Sequence, residues 1–187
     1  MARRLTSFLF AAALWPVALQ AQDQISVVAT TGMIADAARV VGGEIVSVQA
    51  LMGPGVDPHS YRQTRSDIVA AARADVVLWH GLYLEAQMEE FFEDLSRSRN
   101  VLAVAEGLPR DLLLAHEDYE NRFDPHVWMV PDLWQHVARN VLAALIATDP
   151  DNADHFTANA EAFFAELETL SAYSKNFSSN SRRQSTS

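Results

Sequence analysis

The sequence predicts an α/β fold, a parallel β-sheet flanked by helices, and three observations carry that expectation. Short β-rich apolar runs alternate with stretches whose apolar residues recur at helical spacing. Glycine, proline and capping residues fall between these runs, where turns belong. Cysteine is absent, so a packed core and not a disulfide framework must hold the chain.

The elements follow in order. Ile25 to Ala29 is a β-rich run ending in Thr30-Thr31-Gly32, and a helix with Met33, Ala37, Val40 and Val41 on one face reaches Gly42-Gly43. Ile45 to Leu51 is a second strand. A helix starts near Thr64, with Asp67 three residues on as in a capping box. Val76 to Trp79 is a third, buried strand. Leu84, Met88, Phe91 and Leu95 share one helical face, and Val101 to Val104 is a fourth strand. After a longer polar connection, residues 105 to 130, Pro131 starts a helix marked by Leu133, Val137, Val141 and Leu145. Asp149-Pro150 opens the last helix as N-cap and first-turn proline, with Phe156, Ala160, Phe163, Leu167 and Leu170 as its apolar seam. In such a sheet ligands bind at the loops beyond the strand C-terminal ends.

At the N-terminus, Arg3 and Arg4 precede an apolar stretch from Leu5 to Leu19, and the small residue Ala21 suits cleavage. Residues 1–21 therefore read as a secretory signal peptide. The expected protein is exported, most simply to a periplasm. With 24 acidic against 14 basic residues the net charge is −10. A surface of that sign disfavours nucleic acid and anionic membranes, and it is compatible with cations.

The tripeptide Asp-Pro-His occurs twice, as Asp57-Pro58-His59 and as Asp124-Pro125-His126. Proline fixes its own φ and pushes the residue before it out of the helical region, so each imidazole follows a stiffened turn. One copy alone would be an ordinary surface turn. Two copies, each with an aromatic residue two positions on (Tyr61, Trp128), point instead to aimed metal-ligating imidazoles. In each copy the Asp could fix the tautomer of its His.

The motifs Thr30-Thr31-Gly32-Met33-Ile34-Ala35-Asp36, Leu51 to His59, Ala74-Asp75-Val76-Val77, Gly81-Leu82-Tyr83-Leu84-Glu85 and Asp124-Pro125-His126-Val127-Trp128, in this order, resemble the zinc/manganese-type periplasmic solute-binding proteins of ABC importers. The likeness runs from about Val27 to Leu170. It implies two α/β lobes joined by one long helix, with a divalent transition metal, Zn2+ or Mn2+, held between them and delivered to a membrane permease. It places N-terminal-lobe ligands on His59 and His126. On this reading residues 22–147 form the N-terminal metal-binding lobe, 148–172 the interlobe helix and 173–187 an aberrant or disordered tail rich in serine. The family's other ligands come from a C-terminal lobe that the likeness does not reach, so the chain is expected to be a truncated, impaired half-receptor and a monomer.

Among the remaining histidines, His80 follows the third strand and reads as a wet loop residue or an accessory group near the cleft. His116 lies in the acidic connection, without the His-rich insertion frequent in the zinc-specific branch. His136 and His155 sit on helices, paired with Asp132 and Asp151 four residues earlier. Two competing classes are a zinc-dependent hydrolase and a periplasmic metal-buffering or adhesion protein. The hydrolase lacks His-Glu-x-x-His, Gly-x-Ser-x-Gly and a cysteine nucleophile.

Overall fold

The four expected strands pair only in parallel, in the order β2-β1-β3-β4. They are β1 (Ile25–Ala29), β2 (Val46–Ala50), β3 (Val76–Trp79) and β4 (Val101–Ala103). The structure, a computed structural model, describes residues 23–117 and 119–184. The expected leader, residues 1–21, lies outside the described residues.

Alternation along each central strand divides the core into two layers. Val27, Ala29, Val76 and Leu78 face helices α1 (Gly32–Gly42), α4 (Pro131–Thr148) and α5 (Ala153–Gln184). Val28, Val77 and Trp79 face the other way, onto α2 (Arg65–Arg73) and α3 (Glu89–Ser96) through Ala71, Met88 and Phe92. Both faces of the sheet are thus covered, which explains why β3 is apolar at every position.

The capping box at α2 is present: Thr64 Oγ1 accepts from the Asp67 amide, and the Asp67 carboxylate accepts from the Thr64 amide. α3 begins later than the apolar pattern predicts. Gly81, Leu82 and Tyr83 have φ of 82°, 52° and 68°, a left-handed run that cannot start an α-helix. The buried residues there are Leu84, Met88 and Phe92, while Phe91 and Leu95 are only half-buried.

Asp149-Pro150 opens a 3-10 turn, Pro150–Asn152, and not the helix itself. Asp149 Oδ2 accepts from Asn152 Nδ2 at 2.6 Å. The seam of α5 is Phe156, Ala160, Phe164 and Leu167, then buried Ser171. Phe163 is half-buried and Leu170 is exposed. The change of composition after Leu170 does not end the helix, which runs on to Gln184. Lys175 reaches Asp132 at 2.7 Å, so Asp132 takes a lysine from α5 where a pairing with His136 was expected. No helix among the described residues is long and apolar enough to cross a membrane.

Candidate metal centre

The chain leaves β1 towards β2 on one side and returns to β3 on the other, so the crevice between the ends of β1 and β3 is the topological switch point of the sheet. Thr30-Thr31 and His80-Gly81 leave the sheet there. His59 lies in the loop after β2, and His126 in the long connection after β4. The structure brings these two exposed imidazoles together, with ring centroids 5.4 Å apart and planes at 47°.

Each Asp-Pro-His segment closes on itself. Asp57 Oδ1 accepts the His59 amide at 3.0 Å, and Asp124 Oδ1 accepts the His126 amide at 2.9 Å, so both are Asx turns. The two copies then diverge. Asp124 Oδ1 also lies 2.6 Å from His126 Nδ1, whereas Asp57 Oδ2 takes the Ser60 hydroxyl at 3.0 Å. Burial pulls the Asp124 carboxyl up, but the amide and ring of His126 outweigh it and hold its pKa below the ordinary value. An ionised Asp124 places the proton on Nδ1 and leaves the Nε2 lone pair free for a metal. Asp124 can therefore fix a tautomer, whereas the Asp57 carboxylate, among the described residues, is bound to the His59 amide and the Ser60 hydroxyl.

The aromatic residues two positions on differ as well. The Trp128 ring packs 5.1 Å from His126. Tyr61 turns away from chemistry: its hydroxyl donates to Asp67 Oδ2 at 2.7 Å and ties the His59 loop to the start of α2. Burial and the Asp67 carboxylate push the Tyr61 hydroxyl up to about 12.

His80 is fully buried and not a wet loop residue. Its Nε2 is 2.8 Å from the Pro125 carbonyl, and its ring meets Trp128 edge-on at 5.4 Å. A carbonyl only accepts, so Nε2 carries the proton and Nδ1 is a bare acceptor, which has no hydrogen-bond partner among the described residues. Burial lowers the His80 pKa to about 4, and the bond to Pro125 only partly offsets this.

Sequence reasoning missed Glu85, which is fully buried. Its Oε1 accepts the Thr30 hydroxyl at 2.6 Å and the His80 amide at 2.8 Å, and its Oε2 accepts the Gly81 amide at 3.2 Å. This carboxyl clamps the ends of β1 and β3 together. Burial raises its pKa. The available signal was a glutamate directly following the left-handed turn, between Leu84 and Met88 in an apolar register.

His116 packs its ring edge-on against Tyr119. Together with Glu117, Asp124 and His126 it lines a cavity of about 110 Å³. Among the described residues no group of three or more His, Cys, Asp or Glu side chains is placed to hold one ion, so the histidine pair stands as two donors.

Known proteins resemble this chain in sequence and fold. The chain is 39% identical over 155 residues to the manganese-binding lipoprotein MntA of Bacillus subtilis, covering 83% of this chain and 50% of that protein. It is 42% identical over 147 residues to the zinc-binding protein TroA of Treponema pallidum, covering 79% of this chain and 47% of TroA. The solved structure of TroA superposes with a TM-score of 0.77 at 40% identity, over 81% of this chain and 54% of TroA. The chain spans about half the length of the curated relatives it matches. The family described as zinc-uptake complex component A, periplasmic (ZnuA), matches residues 27–186. With that match over most of its length, the chain belongs to the ZnuA family of periplasmic metal-binding receptors, whose members bind substrate and are not enzymes.

Proposed function

We propose that this chain captures a divalent transition metal, Zn2+ or Mn2+, in the periplasm for delivery to the permease of an ABC-type importer, with His59 and His126 as ligands. The metal is cargo, bound and released without catalysis. The observation that carries the reading is the convergence of the two Asp-Pro-His loops, which sets the ring centroids 5.4 Å apart. An ion at roughly 2.0–2.1 Å from one nitrogen of each ring, at a tetrahedral angle, requires centroids about 5 Å apart. Imidazole suits zinc and is tolerated by manganese, whereas calcium and magnesium prefer all-oxygen shells. Relatives named for manganese and for zinc support the class of metal. A net charge of −10 suits a cation receptor.

Two imidazoles fill only half of a tetrahedral shell, so these donors alone bind weakly. Calorimetry on the full chain with zinc, manganese and calcium tests the proposal. Zinc is expected to bind, calcium not to compete, and His59→Ala and His126→Ala each to weaken zinc by about tenfold or more. Equal binding of calcium and zinc, or zinc binding indifferent to both substitutions, would overturn it.

A further inference from the structure

The ligand loops rest on a buried polar chain. At the β2 exit, where the His59 loop begins, the Leu51 and Met52 amides donate to the Ala29 and Thr30 carbonyls at 2.8 and 2.9 Å. Thr30 Oγ1 donates to Glu85 Oε1, the same oxygen that accepts the His80 amide. The His80 ring then donates from Nε2 to the carbonyl of Pro125, the residue directly before His126. Continuous contacts thus link the root of one ligand loop to the other.

We propose that His80 is a positioning residue for the metal pair: by donating to the Pro125 carbonyl from a ring held at the end of β3, it sets where His126 stands relative to His59. This rests on the proposed role of those two histidines as ligands.

Three features of the geometry support it. The Pro125 carbonyl is buried with its residue and accepts from both the Val127 amide at 2.7 Å and the His80 ring at 2.8 Å. Without His80 it keeps only the local turn bond and loses the one donor that ties it to β3, in a place where water does not readily replace it. Trp128 touches both rings, meeting His80 edge-on and His126 at 59°, so a displaced His80 also frees the support beside the ligand. The donor is held in place: the His80 amide is bound by Glu85 and its carbonyl by the Ala105 amide at 2.9 Å, and the ring itself is fully buried against Trp128. A residue needed only to fill space would not require a ring nitrogen facing that carbonyl.

The test compares His80→Gln, whose side-chain amide reaches the position of Nε2 and can donate, with His80→Leu, which fills the space without a donor. Zinc affinity is measured on the full chain by competition with a chromophoric chelator, alongside the visible spectrum of bound Co2+ and the thermal midpoint. His80→Leu is expected to weaken zinc by about tenfold or more and to change the Co2+ spectrum, with His80→Gln within about threefold of the wild type. If the leucine variant does not fold, His80→Asn, whose amide stops near the Nδ1 position, replaces it in the same comparison. A variant without a donor at the Nε2 position that lowers the midpoint but keeps wild-type affinity and spectrum overturns the proposal, as does a folded glutamine variant as weak as the leucine one. If the wild type binds no zinc, or His126→Ala binds it unchanged, the ligand assignment itself fails and this inference with it; a loss at His126→Ala with none at His80→Leu removes the inference alone.

Discussion

Asp57 and Asp124 occupy the same position in two copies of one turn, yet only Asp124 touches an imidazole ring. Replacing either with alanine removes the acceptor for a backbone amide. Only Asp124→Ala also removes the partner of His126 Nδ1, so it is expected to weaken zinc by about tenfold or more, and Asp57→Ala by distinctly less, in side-by-side calorimetric titrations. His80 governs a different property. Its pKa is about 4 in the folded chain, driven down by burial, against an ordinary 6.5. Between these values the unfolded chain binds more protons, so stability present at neutral pH is lost as pH falls from about 6.5 to about 4, by about 3 kcal/mol. Glu85 acts with the opposite sign, because its raised pKa makes stability fall as pH rises above 4.5 towards its folded value. Denaturant titrations of wild type and His80→Gln isolate the histidine: the difference in stability between them should change by about 3 kcal/mol between pH 7 and pH 4, in favour of the glutamine variant at acid pH.

At the scale of elements, local signals worked where one short-range interaction decides the outcome. The start of α2 is such a case, since Thr64 and Asp67 satisfy each other's backbone amides whatever surrounds them. Thr64→Ala should cost about 1 kcal/mol in chemical unfolding and leave the zinc affinity unchanged, because the Tyr61–Asp67 bond that holds the His59 loop persists. The onset of α3 is the contrary case. Periodicity placed Leu84 and Phe91 on one face, but the left-handed backbone at Gly81 to Tyr83 delays the helix and turns Phe92 inward. That conformation follows from the need to bring the Glu85 carboxyl back to the amides of His80 and Gly81, a demand that residue spacing does not display.

At the scale of the molecule, α5 packs along α1 and α4 and completes one layer of the core. Phe156 is fully buried there, whereas Leu170, which continues the apolar pattern of the sequence, is 51% exposed. Phe156→Ala is expected to cost about 3–5 kcal/mol, and Leu170→Ala no more than about 0.5 kcal/mol, in the same denaturation assay. Equal losses would mean that the helix is rotated from the packing described. The sequence alone determined the strand order along the chain, the parallel class, the capping box of α2 and the two Asp-Pro-His turns, because each depends on residues a few positions apart. Tertiary structure alone decided that β1 lies between β2 and β3, and that His59 and His126 meet. It also decided that His80 and Glu85 are buried beneath them. Strand order in space and the burial of a polar group depend on which distant segments share the same volume, and a single strand's residues carry no record of their neighbours across the sheet.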